Sequence, residues 1–471
     1  MPRTPIRTAE DLRGRRTVVL GLARSGVAAS RFLADAGAVV VAYDRRPAAE
    51  LSAEVAALGA RPVRLALGVD ETAALALLAH ADLLVTSPSV SPYFPTTDRW
   101  LRDALIAAEA RGAELVSEVE LFMRLTRARI LGVTGTKGKT TTVSLVAAML
   151  ERAGLPSVLG GNIGTPLIER ATELGPDDWA ILELSELQLP TISRGADVAL
   201  YTNIGEDHLD RHGTAEAYRA VKARLAELSA PSGRVVLNND DPGCHELGDR
   251  LSPASVAWYG LEEPRRGRIE AWVDHEGWLC VAGERLLPAG DVPLPGRHML
   301  SNVLGASLGA FLAGAAPGAI GEAVGAFEGI PHRLELIAER GGVRWINDSQ
   351  ATIPVAAMAA LAAFDAPIVL ISGGKDKGLA YGDFADAVAA RARVAILIGE
   401  TADELALLIG DRVPVERAAD MASAVATAAG LARPGDVVLL SPAAASFDMF
   451  TDYAERGDAF RTALNELGQE R

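Results

Sequence analysis

The sequence predicts an α/β protein with three domains, and two observations support this. Apolar strand-like runs alternate with Ala- and Leu-rich helical patterns along most of the chain, and such alternation is typical of parallel sheets covered by helices. A length of 471 residues leaves room for three domains of about 150 residues. We expect an N-terminal domain over residues 1–117, a central domain over 118–329 and a C-terminal domain over 330–471.

The composition excludes several classes of protein. Hydrophobic residues make up 49% and charged residues 23% of the chain, which is ordinary for a folded protein in water. No uncharged apolar stretch reaches the roughly 18 residues that span a bilayer, so we expect no membrane segment. The two cysteines favour a reduced, cytoplasmic setting over a disulfide framework. The net charge of -15 would repel a phosphate backbone, which argues against a nucleic-acid partner.

The N-terminal domain is predicted to be Rossmann-like. Strand patterns at 17–20, 39–43 and 82–86 alternate with helical patterns at 28–36 and 98–111. The turn GLARSG at 21–26 follows the first strand and Asp44 ends the second, an arrangement typical of dinucleotide binding. However, Ala23 occupies the place of the middle glycine, and its methyl group hinders close approach of a pyrophosphate. A purely structural turn is therefore the alternative.

The central domain contains a phosphate-loop pattern. A strand at 130–133 runs into a glycine-rich loop and then into a helical pattern. Glycines let backbone N–H groups face an anion, Lys139 can reach terminal phosphates and Thr140 can hold Mg²⁺. A glycine-rich turn without a ligand is the alternative, but the flanking strand and helix favour a nucleotide site. The candidate loop residues are Gly135, Thr136, Lys137, Gly138, Lys139, Thr140 and Thr141.

Two polar sites follow later strands of the same domain, whose strand patterns lie at 179–184, 198–202 and 234–238. Glu183 lies near the end of the first of these, and His208 lies in the polar segment 203–210 after the second. Carboxyl ends of parallel strands meet at one edge of a sheet, so we expect both side chains beside the phosphate loop. Both types can bind a metal. A solvent-facing glutamate and a structural histidine are the alternatives.

The C-terminal part repeats the α/β pattern. Strand patterns at 343–346, 367–372, 394–398 and 436–440 alternate with Ala-rich helices and predict a third α/β unit. Before it, the segment 268–287 carries Trp272 and Trp278 near turn glycines. Its pattern predicts a short antiparallel excursion within the central domain.

Nine short motifs, in a fixed order along nearly the whole chain, make it resemble the Mur ligases. One such motif alone would be unspecific, whereas nine in family order are specific. The motifs are GVTGTKGKT at 132–140, GGNIG at 160–164, LELS at 182–185 with Gln188, NIGEDHLD at 203–210, PGRH at 295–298 with Asn302, PHR at 331–333, WINDS at 345–349, GGKDK at 373–377 and SPAAAS at 441–446.

The resemblance implies an ATP-dependent amide ligase of peptidoglycan precursor synthesis. ATP would phosphorylate the carboxylate of UDP-N-acetylmuramoyl-L-alanine, and the amine of glutamate would attack the resulting acyl phosphate. D-glutamate is the expected amino acid, and L-glutamate is the alternative because a related ligase family uses it. The implied partners are these small molecules with ATP and Mg²⁺, and we expect a monomer.

The resemblance also implies roles for individual residues. Lys222 matches a family lysine that carries a carbamate and binds Mg²⁺, whereas spacing alone would make it a solvated helix lysine. The implied catalytic residues are Lys139, Glu183, His208 and Lys222, and the implied metal ligands are Thr140, Glu183, His208 and Lys222. We expect Asn302, Arg333 and Asp348 to contact ATP. In the UDP-sugar site we expect Ser25 and Gly26 near the diphosphate, Asp44 and Arg45 near the uracil, and Asn162 and His208 at other parts of the substrate. The residues expected to contact glutamate are Thr352, Lys377, Ser446 and Tyr453.

Some residues depart from the usual family pattern. Gln350 stands where a lysine is usual, which removes a positive charge near the nucleotide and the forming bond. We expect Lys375 or Lys377 to compensate, because their glycine loop faces the same cleft in the family. The other departures are Ile353, Met299 and Glu186. Since Thr352, Lys377 and Ser446, which are expected to bind the glutamate substrate, are present, we expect the pocket for the carboxylates of that substrate to be complete.

Two other classes of protein account for fewer of these features. A nicotinamide-dependent dehydrogenase would use the turn at 21–26 and Asp44, but it leaves the phosphate loop, Glu183 and His208 without a role. A non-catalytic nucleotide-binding switch would use the phosphate loop but has no need of a third α/β domain with polar loops.

Overall fold

The computed structural model describes residues 6–207, 209–261, 269–294 and 296–467. Within these residues it holds three β-sheets, of five, nine and six strands, with helices between the strands. The chain divides into two compact units, Met1–Phe327 and Glu328–Arg471, and the first unit contains two of the sheets. The predicted α/β fold with three sheet-forming regions is confirmed, while the domain boundaries near 117 and 329 remain predictions.

The first sheet is the predicted Rossmann-like one. Its strands are β1 (Arg16–Leu20), β2 (Val39–Asp44), β3 (Val63–Leu67), β4 (Leu83–Thr86) and β5 (Glu114–Ser117), and the helices that accompany or follow them are α1 (Arg24–Asp35), α2 (Ser52–Ala57), α3 (Glu71–Ala79), α4 (Arg99–Ala110) and α5 (Glu118–Leu125). All pairs are parallel, in the order β3-β2-β1-β4-β5. The order reverses between β1 and β4, and ligands of such sheets bind beyond the carboxyl ends of the strands at that point.

The second sheet contains the phosphate-loop strand in its interior, with further strands on both sides. Its strands are β6 (Arg129–Thr134), β7 (Ser157–Gly161), β8 (Trp179–Glu183), β9 (Val198–Tyr201), β10 (Arg234–Asn238), β11 (Val256–Gly260), β12 (Ile269–Val273), β13 (Trp278–Val281) and β14 (Glu284–Pro288). They lie in the order β14-β13-β12-β11-β10-β9-β6-β8-β7. The pairs from β7 to β12 are parallel. The two pairs from β12 to β14 are antiparallel, which confirms the predicted excursion.

Helices cover both faces of this sheet. They are α6 (Lys139–Arg152), α7 (Leu209–His212), α8 (Ala215–Ser229), α9 (Pro242–Gly248), α10 (Arg297–Leu312) and α11 (Pro317–Gly325). Val146 of α6 and Leu308 of α10 share a core with Leu131 of β6, whereas Leu225 of α8 shares the opposite core with Leu182 of β8. Burial on both faces explains why the central strands are continuous apolar runs.

The third sheet forms the core of the second compact unit. Its strands are β15 (Glu335–Arg340), β16 (Val343–Asn347), β17 (Ile368–Gly373), β18 (Ala392–Ile398), β19 (Val415–Arg417) and β20 (Val437–Leu440), and its helices are α12 (Pro354–Ala362), α13 (Gly382–Arg391), α14 (Ala402–Ile409), α15 (Met421–Leu431) and α16 (Tyr453–Leu467). The order is β15-β16-β20-β17-β18-β19. Only the β15–β16 pair among the described pairs of this sheet is antiparallel.

The sequence patterns located most strands to within about two residues but missed six, namely β3, β5, β7, β11, β15 and β19. All of these except β11 lie at the edge of a sheet. Edge strands are short and half exposed, so their apolar runs are interrupted by charged residues or glycine, as at Arg64 in β3 and Gly160 in β7.

Helix α5 connects the first sheet to the second through buried acidic side chains. The Ser117 Oγ caps the helix by accepting a hydrogen bond from the Glu120 amide at 3.1 Å, and the Glu120 carboxylate accepts one from the Ser193 amide at 2.9 Å. The Glu118 carboxyl accepts a hydrogen bond from the Ile168 amide at 2.9 Å. Burial raises the pKa of Glu118 to about 7, although the backbone hydrogen bonds oppose this shift. Glu118 therefore holds the segment after β7 at the cost of burying an acid.

Replacing Glu118 by Gln should stabilise the protein above pH 7 and remove one pH dependence. Glutamine keeps an acceptor for the Ile168 amide but carries no charge. Because the folded-state pKa of about 7 lies above the ordinary 4.5, the wild-type free energy of unfolding falls as the pH rises from about 4.5 to 7, by an amount on the order of 3 kcal/mol. Urea unfolding at pH 5 and pH 8 measures this, with Glu151→Gln on the exposed face of α6 as control. Equal gains at both pH values would contradict the interpretation.

Candidate nucleotide and substrate site

The phosphate loop runs from the end of β6 to the start of α6 and depends on two glycines. Gly138 has a φ of 87°, which side chains disfavour, and a Cβ there would lie 2.5 Å from the Asn302 Oδ1. A Cβ on Gly135 would lie 1.9 Å from the Thr202 Oγ1. Neither position has room for a side chain. The structure thus brings Asn302 of α10, predicted to contact ATP, against the loop.

Two residues after β9 hold the loop from outside. The Lys137 amide donates to the Asn203 Oδ1 at 3.0 Å, and the Asn203 Nδ2 donates to the Lys137 carbonyl, also at 3.0 Å. The Thr202 Oγ1 donates to the same carbonyl at 2.6 Å. Inside the loop, the Lys139 Nζ donates to the carbonyls of Gly135 at 2.9 Å and Thr136 at 3.0 Å. The loop shape therefore rests on polar contacts at the carboxyl edge of the sheet.

Glu183 ends β8, the strand next to the phosphate-loop strand β6 at this edge of the sheet. Its Oε2 accepts a hydrogen bond from the Thr140 Oγ1 at 2.8 Å, and its Oε1 accepts one from the Asn162 Nδ2 at 2.8 Å. The Asn162 amide also donates to the Glu183 carbonyl at 2.8 Å. Glu183 is only 2% exposed, so the alternative of a solvent-facing strand glutamate is wrong. The predicted metal, nucleotide and UDP-sugar residues meet at one carboxylate.

Lys222 is fully buried, with 0% exposure, and is not a solvated helix lysine. Its Nζ donates to the Thr134 Oγ1 at 3.2 Å and to the Gly135 carbonyl at 3.0 Å. Burial, and then the positive charge of Lys139, lower the pKa of Lys222 to about 7, although nearby acidic side chains oppose the shift. A large fraction of this amine is therefore neutral near pH 7, which is unusual for lysine.

The predicted metal ligands are only partly brought together in the described residues. Thr140 and Glu183 meet, whereas His208 lies outside the described residues. No group of three His, Cys, Asp or Glu side chains suited to a metal ion occurs in the part of the chain that the structure describes. The hydroxyl and carboxylate oxygens of Thr140 and Glu183 fit Mg²⁺, which prefers oxygen ligands and keeps several waters.

The turn after β1 is tightly packed against its own strand. Gly21 has a φ of 92°, and a Cβ on Gly26 would lie 1.9 Å from the Gly21 carbonyl oxygen. Asp44, at the end of β2, accepts a hydrogen bond from the Leu22 amide at 2.8 Å. Burial pushes the pKa of Asp44 upward, but hydrogen bonds from Arg46 and Leu22 outweigh it and lower the pKa to about 2. Asp44 is thus a permanent anion that fixes this turn.

Ser25 is part of that turn, and Arg45 follows Asp44 at the end of β2. The exposed Arg45 forms an ion pair with Asp98 at 3.0 Å, and Ser25 lies half-buried in the first turn of α1. The structure therefore places the predicted diphosphate and uracil residues at the carboxyl ends of β1 and β2.

In the second compact unit, Asp348 organises the residues predicted at ATP. Its Oδ1 accepts a hydrogen bond from the Leu334 amide at 3.1 Å, and its Oδ2 accepts one from the Ser441 Oγ at 2.8 Å. Burial raises the pKa of Asp348 to about 7, opposed by these bonds and by Arg333. Arg333 stands between His332 and Leu334, whose φ angles are 63° and 45°, a strained conformation for side-chain-bearing residues.

The residues predicted at glutamate differ in exposure. Ser446 is buried, Thr352 is half-buried and Lys377 is exposed. Lys375 forms an ion pair with Glu400 at 2.6 Å, whereas Lys377 makes no ion pair with any residue that the structure describes. Of these two lysines, Lys377 is therefore the one whose charge is not already paired with a carboxylate, while compensation for Gln350 remains a prediction.

Sequence reasoning missed two residues that position this machinery. Tyr218 lies one helical turn before Lys222 on α8; its hydroxyl donates to the Thr136 Oγ1 at 3.2 Å, and its ring centroid lies 5.4 Å from the Lys222 Nζ. Residues four apart on a helix lie on the same face, so the sequence could have predicted that Tyr218 lies beside Lys222. Arg456 of α16 is fully buried and donates to Ser349 and Ala444, a role that no local pattern indicates.

The phosphate loop follows an interior strand whose two neighbours are parallel to it, and the first, parallel sheet carries a tight βα turn. Together these features define a phosphate-loop α/β protein with a further nucleotide-type fold. Residues 133–310 match the family described as the Mur ligase middle domain, and residues 332–444 match the Mur ligase, glutamate ligase domain. The chain belongs to the Mur ligase family, as its motifs predicted.

Relatives of similar length share one name. The chain is 39% identical over 462 residues to the UDP-N-acetylmuramoylalanine–D-glutamate ligase of Solibacter usitatus, covering 97% of this chain and 99% of that one. It is 38% identical over 458 residues to the enzyme of the same name from Symbiobacterium thermophilum, covering 96% and 98%. It is 40% identical over 473 residues to that from Anaeromyxobacter dehalogenans, covering 97% and 99%.

Solved structures share the fold at lower identity. The UDP-N-acetylmuramate–alanine ligase of Thermotoga maritima superposes with a TM-score of 0.56 at 16% identity, covering 97% of this chain and 100% of that one. A pseudomurein peptide ligase type C from Methanothermus fervidus gives 0.53 at 18% identity, covering 96% and 99%. Among the described residues, no helix has the length and apolar character to cross a membrane.

Replacing Gly138 by Ala should weaken nucleotide binding while the fold persists. The substitution strains a left-handed residue and forces a methyl group toward Asn302, a local cost of about 1–3 kcal/mol, which corresponds to roughly 5- to 150-fold in affinity. ATP titration by calorimetry measures it. Gly154→Ala is the matched control, because Gly154 has a φ of 70° with nothing within 4 Å of its Cβ position. Equal ATP affinity in wild type and Gly138→Ala would refute the packing argument.

Proposed function

We propose that the protein is an ATP-dependent amide ligase that adds D-glutamate to UDP-N-acetylmuramoyl-L-alanine during peptidoglycan precursor synthesis. The observation that carries this proposal is the Glu183 carboxylate, which holds the Thr140 hydroxyl and the Asn162 amide at 2.8 Å each. This carboxylate connects Thr140, expected at the phosphates of ATP, with Asn162, expected at the UDP-sugar. The shared name of relatives that match 96–97% of this chain supports the same activity.

The phosphate-loop residues Gly135 to Thr141 would bind and orient ATP. Their amides face the phosphates, and Lys139 leaves its loop carbonyls to neutralise charge on the transferring phosphoryl group. Asn302 lies against the loop, and Arg333 and Asp348 contact ATP by family likeness. Such charge compensation is needed because the acceptor carboxylate is itself an anion, and two anions repel each other as they approach.

Thr140 and Glu183 would hold Mg²⁺, together with His208 and a carbamate on Lys222. When bound, Mg²⁺ supplies charge neutralisation for the phosphate oxygens. Carbamate formation requires a neutral amine, and the lowered pKa of Lys222 supports this modification. The carbamate would convert a buried cation into an anion and would give Lys139 an opposite charge nearby.

The UDP-sugar and glutamate would be bound by different parts of the structure. Ser25 and Gly26 would bind the diphosphate of the UDP-sugar, Asp44 and Arg45 its uracil, and Asn162 and His208 a further part of it. The glutamate carboxylates need a cation and hydroxyl groups, which Lys377, Thr352 and Ser446 would offer, and Tyr453 would also contact glutamate. The amine of glutamate would then attack the acyl phosphate, forming the amide and releasing phosphate.

We further propose three domains with boundaries near residues 117 and 329, a monomeric state and a cytoplasmic setting. ATP and UDP-sugars are cytoplasmic metabolites, and the two cysteines are free and buried, which suits a reducing compartment.

Phosphate release should require ATP, Mg²⁺, UDP-N-acetylmuramoyl-L-alanine and D-glutamate together, because acyl phosphate formation and amine capture are both needed for turnover. A coupled phosphate assay with each component omitted in turn measures this, and kcat/KM for L-glutamate should be lower than for D-glutamate. Lys139→Ala should lose roughly 10²-fold or more of the rate. Phosphate release that is indifferent to the UDP-sugar would disprove the ligase proposal, whereas preference for L-glutamate would change only the amino acid.

Lys222→Ala should be inactive but partly rescued by a small carboxylate such as acetate or propionate, because the proposed carbamate acts only as an anionic oxygen donor. Initial rates over a series of carboxylate concentrations measure the rescue. Lys139→Ala is the control, since it removes a cation and carboxylates should not restore it. Full activity of Lys222→Ala without any additive would exclude a role for the carbamate.

A further inference from the structure

The backbone of residues 202–205, directly after β9, is held by side chains from the end of β10 and the start of α9. The Asn238 Nδ2 donates a hydrogen bond to the Thr202 carbonyl at 2.9 Å. The Asp241 Oδ1 accepts a hydrogen bond from the Ile204 amide at 3.0 Å. Ile204 is buried, so loss of the Asp241 carboxylate would remove the acceptor of a buried amide, which is costly.

Asp241 also has a local role in its own helix. The same Oδ1 accepts a hydrogen bond from the Cys244 amide at 2.8 Å and so caps α9. Aspartate is a common N-cap residue, and capping alone would account for its presence. The bond to Ile204 is different, because it joins residues 37 positions apart and lies outside the helix. One oxygen atom therefore connects the start of α9 to the segment after β9.

Gly243, in the first turn of α9, shows independently how closely the helix approaches this segment. A Cβ on Gly243 would lie 2.1 Å from the Ile204 carbonyl oxygen, a distance too short for any side chain. Gly243 does not have a positive φ, so glycine is needed here for close approach and not for an unusual backbone conformation. The helix and the segment are thus in backbone contact as well as hydrogen-bonded.

The segment held in this way contacts the phosphate loop through its backbone. The Gly205 amide donates to the Thr136 Oγ1 at 3.0 Å, and the Thr136 amide donates to the Asn203 carbonyl at 3.0 Å. These bonds add to the side-chain bonds that join the same segment to Lys137. The shape of the phosphate loop therefore depends on a segment whose own position depends on the start of α9.

We infer that Asp241 is a positioning residue of the ATP site, which acts through residues 202–205 and not by contact with the nucleotide. This inference rests on the proposed function. Amides that are already arranged for the phosphates bind ATP more tightly than amides that must be ordered on binding. Releasing the segment would remove part of that arrangement, whereas the residues expected at the uridine diphosphate lie on the first sheet and would be unaffected.

The test measures the Kd for ATP with Mg²⁺ and the Kd for UDP by calorimetry, together with urea unfolding. Asp241→Ala releases the Ile204 amide, and Gly243→Ala pushes the Ile204 carbonyl away. Both should weaken ATP binding by about 5- to 50-fold and leave UDP binding within about twofold of wild type. Asp241→Asn should bind ATP as wild type does, since its Oδ1 can accept both hydrogen bonds.

Asp197→Ala is the matched control. The Asp197 Oδ2 accepts a hydrogen bond from the Ile130 amide at 2.8 Å, at the end of β6 opposite to the phosphate loop. Its loss should lower the free energy of unfolding but leave ATP binding unchanged. If Asp241→Ala or Gly243→Ala does not fold, Asp241→Ser replaces it, because serine keeps a cap oxygen on a shorter side chain and should also weaken ATP binding.

Two results would overturn the inference while leaving the ligase proposal intact. In the first, the Asp241 variants lose stability but bind ATP as wild type does, which would make Asp241 a helix cap only. In the second, Asp197→Ala weakens ATP binding as much as Asp241→Ala, which would make the effect one of general stability. If wild type itself binds no ATP, the proposed function fails and this inference fails with it.

Discussion

The active-site edge of the central sheet depends on one buried carboxylate, that of Glu183. A charged group that is 2% exposed is costly unless its oxygens are hydrogen-bonded, and Thr140 and Asn162 satisfy one oxygen each. This requirement sets the register between α6, which carries Thr140, and the loop after β7, which carries Asn162. The phosphate loop and the loop expected at the UDP-sugar are therefore held together before any ligand binds.

A second constraint comes from two lysines of like charge. Lys139 and Lys222 both donate to the Gly135 carbonyl, so their positive charges lie close together beneath the loop. The protein relieves this repulsion by burial that lowers the pKa of Lys222, and the proposed carbamate would reverse the sign of that charge. Tyr218 completes the arrangement, because its ring faces the amine and its hydroxyl contacts the loop.

The second compact unit also buries ionisable side chains, and different residues form hydrogen bonds with them. Asp348 is buried with a raised pKa, and the Arg456 guanidinium is buried among the carbonyls and hydroxyl of neighbouring loops. Arg456 connects the segment around Ser349 with the segment at 444–445, immediately before Ser446. Loops expected to bind ATP and glutamate are thus joined by one side chain, which makes their positions interdependent.

The sequence by itself determined the α/β class, the central strands, the phosphate loop and the family, because these are local patterns of apolar runs, glycines and short motifs. It did not reveal the edge strands such as β3 and β19, whose apolar runs are weak where one side faces water. Without the resemblance, sequence spacing would have predicted Lys222 to be a surface residue. Sequence spacing also did not show which of Lys375 and Lys377 is paired with a carboxylate. Only the tertiary structure decided those points, since burial, ion pairing and a shifted pKa arise from residues distant in the chain that packing brings within a few ångströms.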